Sequence, residues 1–322
     1  MFVQFVVLVI GIVSLIKGAD WLVDGSSGLA RSFGVSPLFI GLTIVAFGTS
    51  APELAVSLSA ALKGAGEISI SNVVGSNIAN TALVIGLSTL ILPMGVKYST
   101  IRKEIPFCLL VSIVLMAFLI QGKGYGLERS HGIALLAFLV VFLEYTFVMA
   151  RSDRAYSREV SEQQSEATAS GKMKRSKAFF LTGLGLALVL VGGECTVNAS
   201  VQIALALGVS QAFVGLTIIA IGTSLPELVT SLSAILKKEA DLAIGNIVGS
   251  NVFNILLILG LSSSIHPMTV FVPLYWLDLL YMTLLVGLLW IFSFTKRQIE
   301  RWEGGILFAS YIAYLVLVSL RR

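Results

Sequence analysis

The sequence predicts an all-α integral membrane protein of ten transmembrane helices, built as two inverted-topology five-helix repeats. Three observations carry this. Of 322 residues, 56% are hydrophobic and only 12% charged, and mean hydropathy is +0.93. A soluble chain carries about 25% charged residues, so a water-facing surface cannot be covered from this composition. The apolar residues fall into ten long runs, five on each side of one hydrophilic stretch. The two sets of five then repeat each other in sequence. A soluble enzyme, a disordered chain and a nucleic-acid binder are excluded. The net charge of +4 comes from basic residues lying between apolar runs.

A membrane helix needs about 20 mostly apolar residues. Phe2–Ile16 opens the first span, which continues, more polar, past Lys17, Asp20 and Asp24. No basic segment precedes it and no small-residue cleavage site precedes Lys17, so it reads as a retained helix rather than a signal peptide. The next runs are Ser32–Pro52, Ile68–Val96, Ile105–Gly122 and Gly132–Ala150, the last interrupted only by Glu144. Residues 151–177 are rich in Ser, Glu, Gln, Arg and Lys and cannot cross a bilayer; they form a hydrophilic linker. Five runs follow near 178–206, 209–236, 242–265, 270–294 and 303–320. The organisation is therefore a first repeat at 1–150, a linker at 151–177 and a second repeat at 178–322.

Basic residues set the orientation. With the linker cytoplasmic, that side holds 16 Lys and Arg and the opposite side 5, Lys17 lying within a span. Both termini are expected outside a cell (inner) membrane. Cys108 and Cys195 lie in apolar runs without a cysteine at ligand spacing and read as small buried hydrophobes. His131 and His266 sit near helix ends and read as interfacial residues.

The repeat is the most informative feature. GVSPLFIGLTIVAFGTSAPEL starting at Gly34 matches GVSQAFVGLTIIAIGTSLPEL starting at Gly208, an offset of 174. The register holds without a gap to Met94 and Met268, with about 35 of 61 positions identical. It also pairs Asp20 with Glu194. Five spans per half is an odd number, so the second half enters the membrane upside down. That is the architecture of secondary transporters, whose binding site lies at the midplane between repeats.

Two segments per half are too polar to face lipid. Gly48-Thr49-Ser50-Ala51-Pro52-Glu53 is matched by Gly222-Thr223-Ser224-Leu225-Pro226-Glu227. Proline within a span cannot donate to the carbonyl four residues back, and such a break persists in the membrane only where the freed groups face protein, water or an ion. Thr49 and Glu53 are four apart and share a face, as do Thr223 and Glu227. Glutamate deep in an apolar span is costly and by default functional. A single copy could be a proline kink with a protonated glutamate; two inverted copies bring two glutamates to one depth. The second segment is a stripe of Asn72, Ser76 and Asn80, repeated as Asn246, Ser250 and Asn254. Asn72, Asn77, Asn246 and Asn251 read as helix-packing polar residues, with Gly75 and Gly249 allowing close approach. Ser76, Asn80, Ser250 and Asn254 face the broken helix.

The assembled donors are two carboxylates, the hydroxyls of Thr49, Ser50, Thr223 and Ser224, the amides of Asn80 and Asn254, and backbone carbonyls. An all-oxygen cage selects hard cations. Ca²⁺ takes six to eight flexible oxygens at about 2.3–2.6 Å, whereas Mg²⁺ prefers a tighter octahedron and keeps water. Na⁺ is close to Ca²⁺ in size with half its charge. Two carboxylates balance one Ca²⁺ or are shared among several Na⁺, and competition for them is a physical basis for exchange.

The GTSAPEL/GTSLPEL and GSNIAN/GSNVFN segments resemble the two alpha repeats of the cation/Ca²⁺ antiporter superfamily, in particular the prokaryotic sodium/calcium exchangers. The resemblance covers all ten spans. It implies that Glu53 and Glu227 are central ligands shared by Ca²⁺ and Na⁺, flanked by Thr49, Thr223, Ser50 and Ser224. It adds the carbonyls of Ala46 and Ala220 for outer Na⁺ sites, and Ser76, Ser250, Asn80 and Asn254 from the third and eighth spans. It also implies that the first and sixth helices, through Lys17–Ala30 and Gly192–Leu207, slide across the other eight. Some relatives, including potassium-dependent ones, carry Asp where this chain has Asn254.

The expected function is Na⁺/Ca²⁺ antiport by alternating access, without enzymatic activity and without a resident cofactor; Ca²⁺ and Na⁺ are cargo. The expected partners are membrane lipid and inorganic cations, with no nucleic acid and no obligatory protein partner, the monomer being functional. Rival readings are H⁺/Ca²⁺ exchange through the same glutamates, K⁺-dependent exchange, and a cation channel; pores are usually built by oligomeric symmetry.

Overall fold

The computed structural model describes residues 1–121, 126–163, 173–209, 220–269 and 272–320. α1 spans Phe2–Phe33. Its 32 residues extend about 48 Å at 1.5 Å per residue, well beyond a hydrocarbon layer of about 30 Å, so it crosses at a tilt or projects from it. The second span is a bent pair, α2 (Pro37–Thr49) and α3 (Ala51–Leu62), turning by 48° at Ser50. Then come α4 (Gly66–Ile91), α5 (Tyr98–Gln121), α6 (Arg129–Gln163) and α7 (Arg175–Ala206). After a helical turn at Ala220–Gly222 follow α8 (Leu225–Leu236), α9 (Ala240–Ile265), α10 (Val272–Phe294) and α11 (Arg301–Leu320).

Among the described residues, eight helices are long and apolar enough to cross a membrane, and the bent pair makes nine. The remaining expected span, 209–236, is represented by α8; most of its first half, 210–219, lies outside the described residues. Two boundaries differ from the sequence expectation. The second run does not stop at Pro52 but continues to Leu62, because Glu53 and Ser57 are turned inward and fully buried, leaving apolar residues outward. The linker begins as helix: α6 runs on to Gln163. Hydrophilic composition keeps that stretch out of lipid, but its lack of Gly and Pro lets the helix continue.

Burial sorts the helices into layers. The apolar window of α4 is 78% buried and that of α9 94%, against 22% for α1 and 33% for α7. α4 and α9 are therefore the centre, and α1 and α7 an outer pair. Phe2, Phe5 and Val9 of α1 and Phe179, Phe180 and Val191 of α7 are exposed, as lipid-facing residues must be.

α1 and α7 run antiparallel in backbone contact. A Cβ at Gly18 would lie 2.7 Å from the Val189 nitrogen, and one at Gly192 2.7 Å from the Leu15 nitrogen. Gly11, Gly18 and Gly25 recur every two turns along this seam, the small-residue device by which membrane helices approach closely.

Two short antiparallel β pairs tie the loops. Met94–Gly95 (β1) joins Gln298–Ile299 (β4), and Gly126–Leu127 (β2) joins Met268–Thr269 (β3). Ion pairs Arg31–Glu239 at 3.4 Å, Lys97–Asp241 at 2.7 Å and Lys237–Asp24 at 2.7 Å gather loops that the charge count placed together on one side.

Candidate cation site

The two helix breaks have nearly the same geometry. Ser50 adopts φ −79°, ψ 7° and Ser224 φ −86°, ψ 5°, and in each half proline follows within the first two positions of the new helix. Proline suits that place because its missing N–H would have no partner there. The restart puts Glu53 in the first turn of α3 and Glu227 in the first turn of α8, where the positive end of the helix dipole favours a carboxylate. Both side chains are completely buried.

α4 and α9 supply the opposing donors. Ser76 Oγ donates to Glu53 Oε1 at 3.3 Å, and Ser250 Oγ to Glu227 Oε1 at 3.4 Å. The break of one half reaches the glutamate of the other: Ser50 Oγ donates to Glu227 Oε1 at 3.3 Å. Thr49 Oγ1 lies 3.5 Å from Ser250 Oγ, and Thr223 Oγ1 3.5 Å from Ser76 Oγ. The Ala46 carbonyl is 3.4 Å from Ser250 Oγ. Ala220 opens the helical turn ahead of the second break. The site is thus one shared cluster, bridged from half to half by Ser50 on Glu227 and by Thr223 beside Ser76.

The asparagines form a second layer. Asn80 Nδ2 donates to Asn251 Oδ1 at 3.2 Å, and Asn254 Nδ2 to Asn77 Oδ1 at 3.0 Å. Asn251 Nδ2 donates to Thr81 Oγ1 at 2.9 Å. The counterpart of Thr81 is Ile255, which has no hydroxyl, and Asn77 Nδ2 turns instead to the Asn251 carbonyl at 3.1 Å. Asn72 Nδ2 holds Ser57 Oγ at 2.9 Å and the Glu53 carbonyl at 3.3 Å, and Asn246 Nδ2 holds Ser231 Oγ at 3.0 Å. These four asparagines, read from sequence as packing residues, fix the break and aim the amides of Asn80 and Asn254. Thr49 also donates to Asn246 Oδ1 at 3.0 Å.

Asn80 and Asn254 stand in π-helical segments, Ala79–Val84 and Asn254–Leu259, and a third, Gly41–Val45, precedes the first break. Such widened turns occur mostly as single insertions at functional sites; no hydrophobic pattern announces them. Gly249 performs the expected close approach: a Cβ there would lie 2.7 Å from that of Ala46. A Cβ at Gly75 meets nothing within 4 Å among the described residues, so no close approach is seen there; by the repeat offset its matching surface is 216–220, largely outside those residues. Of the cysteines, Cys108 is buried and Cys195 half-buried.

What remains unpaired defines the chemistry. Glu53 Oε2, Glu227 Oε2, Asn80 Oδ1, Asn254 Oδ1 and Ser224 Oγ are buried without a hydrogen-bond partner among the described residues. Each such group costs about 1–3 kcal/mol, and more when charged. None of the ion pairs among the described residues involves Glu53 or Glu227. Orphaned oxygens without a protein counter-charge suit a hard cation, which would satisfy both deficits. A cavity of about 480 Å³ between α3, α7 and α8 reaches this cluster at Thr223.

Residues 3–148 and 177–320 match the family described as sodium/calcium exchanger protein. Among relatives, the chain is 40% identical over 328 residues to the putative antiporter CaxA of Alkalimonas amylolytica, covering 99% of both chains. It is 32% identical to the sodium/calcium exchanger MaX1 of Methanosarcina acetivorans, covering 98% of both. A solved structure of the sodium-calcium exchanger NCX_Mj superposes with a TM-score of 0.82 at 30% identity, covering 98% of each chain.

Proposed function

The chain belongs to the sodium/calcium exchanger protein family, and from that premise we propose that it exchanges Na⁺ for Ca²⁺ across a membrane by alternating access. Family membership makes it a multi-pass membrane cation/Ca²⁺ antiporter. The finer reading rests on one observation: two fully buried glutamates, each with an oxygen lacking a hydrogen-bond partner among the described residues, are bridged across the repeats by Ser50, and neither joins an ion pair among those residues.

In this reading Glu53 and Glu227 are the shared ligands. Ca²⁺ takes both carboxylates and its charge is balanced. Na⁺ ions divide the same carboxylates among sites completed by Thr49, Ser50, Thr223, Ser224, Ser76, Ser250, Asn80, Asn254 and the carbonyls of Ala46 and Ala220. The two cargoes displace one another because they draw on the same two charges. The chain carries ten spans as two inverted five-helix repeats, 1–150 and 178–322, joined by a cytoplasmic linker at 151–177, with both termini outside the inner membrane. It acts as a monomer.

The test is Ca²⁺ uptake into vesicles reconstituted with the purified protein and loaded in turn with Na⁺, K⁺ or a proton gradient. Saturable uptake driven by internal Na⁺ is expected. Uptake driven by the proton gradient alone would replace Na⁺ with H⁺ as the counter-ion, and single-channel currents would overturn exchange altogether.

A further inference from the structure

The side of the molecule away from the cavity is bolted by charge. Lys237, at the end of α8, places Nζ 2.7 Å from Asp24 Oδ1 and 3.7 Å from Asp20 Oδ1 on α1. The same ammonium donates to the Asp20 carbonyl at 2.8 Å, and Ser233 Oγ donates to Asp20 Oδ1 at 2.8 Å. Arg31 and Glu239 add a pair at 3.4 Å.

The 174-residue offset gives each member of this bolt a counterpart. Lys237 and Ser233 correspond to Lys63 and Ser59 on α3; Asp20 and Asp24 correspond to Glu194 and Asn198 on α7. There the groups stand apart. Glu194 and Asn198 line the cavity of about 480 Å³, with Ala55 and Val56 of α3. Lys63 and Glu194 are exposed and belong to none of the ion pairs among the described residues. The same chemistry is therefore engaged at one end and open at the other.

We propose that Lys63 pairs with Glu194 to close the cavity side, and that this pair and the Lys237–Asp20/Asp24 cluster form in alternation. This rests on the alternating-access reading above. The glycine seam supplies the coupling. α1 and α7 touch backbone to backbone, so a shift carrying α7 onto α3 carries α1 off α8, and one bolt opens as the other forms.

The bolts are unequal. Lys237 meets two aspartates, whereas Lys63 would meet Glu194 and the neutral Asn198. Arg31 and Glu239 correspond to Leu205 and Ala65, so the second pair has no counterpart. Charge alone favours the state with the Lys63 side open, which is the state of this structure.

The test reads cavity access without transported ions. Ala55→Cys is introduced in a Cys195→Ser background, and the rate of maleimide labelling is followed on purified protein in detergent, in choline buffer without Na⁺ or Ca²⁺. Lys237→Ala weakens the engaged bolt and is expected to shift the open–closed equilibrium about threefold, the change available from a partly exposed ion pair, and so to slow labelling by up to about twofold from a mainly open state. Asn198→Asp, which removes no hydrogen bond seen among the described residues, gives the Lys63 side its second carboxylate and is expected to slow labelling similarly. Lys63→Ala added to Asn198→Asp removes the pair with Glu194 as well and is expected to return the rate at least to that of the parent. An unchanged rate in Asn198→Asp, or a slowed rate that Lys63→Ala does not reverse, overturns the proposal. Normal Na⁺-driven flux with an unresponsive labelling rate would strike the bolts and leave the exchange reading intact. Absent Na⁺-driven flux with the expected labelling pattern would strike the cargo and leave the bolts.

Discussion

The two halves of the candidate cation site carry the same residues at every proposed ligand position and do not make the same bonds. Ser50 donates to the glutamate of the opposite half, while Ser224 Oγ has no hydrogen-bond partner among the described residues. Asn251 finds the hydroxyl of Thr81; Asn77, facing Ile255 in its place, takes a backbone carbonyl. The glutamates and the serines that hold them, by contrast, match to within 0.1 Å. The difference separates two layers of the design. The glutamates and the serines that hold them are duplicated in residue and in bond, whereas the groups around them differ where a neighbour can be satisfied another way.

The comparison breaks most visibly at the glutamates. Glu53→Gln and Glu227→Gln each remove half the charge that balances Ca²⁺. Each is expected to lower Ca²⁺ flux at least about 100-fold, since lost charge-assisted contacts to an ion cost several kcal/mol, while the protein stays monodisperse. If one variant transports normally, the halves are not equivalent at the level of cargo. Protons compete for the same two carboxylates, so lowering the pH from 8 to 5 is expected to reduce initial flux, with Ca²⁺ at its half-saturating concentration. A flat profile over that range would mean the carboxylates are not the dominant ligands.

Ser50→Ala and Ser224→Ala sharpen the contrast. Loss of Ser50 Oγ removes a hydrogen bond to a carboxylate and is expected to destabilise the ion-free protein by about 1.5–3 kcal/mol. Ser224→Ala removes an unpaired hydroxyl and is expected to leave ion-free thermal stability unchanged, yet to reduce stabilisation by added Ca²⁺. Equal losses without Ca²⁺ would erase the distinction between the halves. Along the seam the halves should instead agree. Gly18→Ala and Gly192→Ala, counterparts that each meet a backbone nitrogen at 2.7 Å, are expected to cost about 1–3 kcal/mol alike. Gly183→Ala, with open space around its added carbon, should cost nothing. The smallest effect is expected from K⁺. Asn254 offers a dipole and no charge to offset a co-bound cation, so replacing K⁺ by choline at clamped potential should leave Na⁺-driven Ca²⁺ flux unchanged.

Most of the site was legible because chemistry costly in a membrane announces itself: Pro52 and Glu53 within an apolar run, and again at the offset. The extent of α3 was not, since a run ended at its first charge treats buried Glu53 as if it faced lipid. From sequence Asn77 and Asn251, like Asn72 and Asn246, read as packing residues because such amides commonly hydrogen-bond between membrane helices; each stands one place beyond its serine, and one residue turns about 100° around the helix, which points them at the opposite central helix. Their recurrence at the offset was the available signal. The π-helical segments at Asn80 and Asn254 leave no trace in hydropathy, because one extra residue in a turn does not change which residues are apolar.

The central claim is that Glu53 and Glu227 form one site used by both cations. Ca²⁺ binding to the purified protein, titrated at increasing Na⁺ with choline holding ionic strength, tests it most directly. The expected result is that Na⁺ weakens Ca²⁺ binding competitively in the wild-type chain, and that neither Glu53→Gln nor Glu227→Gln binds Ca²⁺. Ca²⁺ binding that is indifferent to Na⁺, or that survives in either variant, would contradict a shared two-carboxylate site.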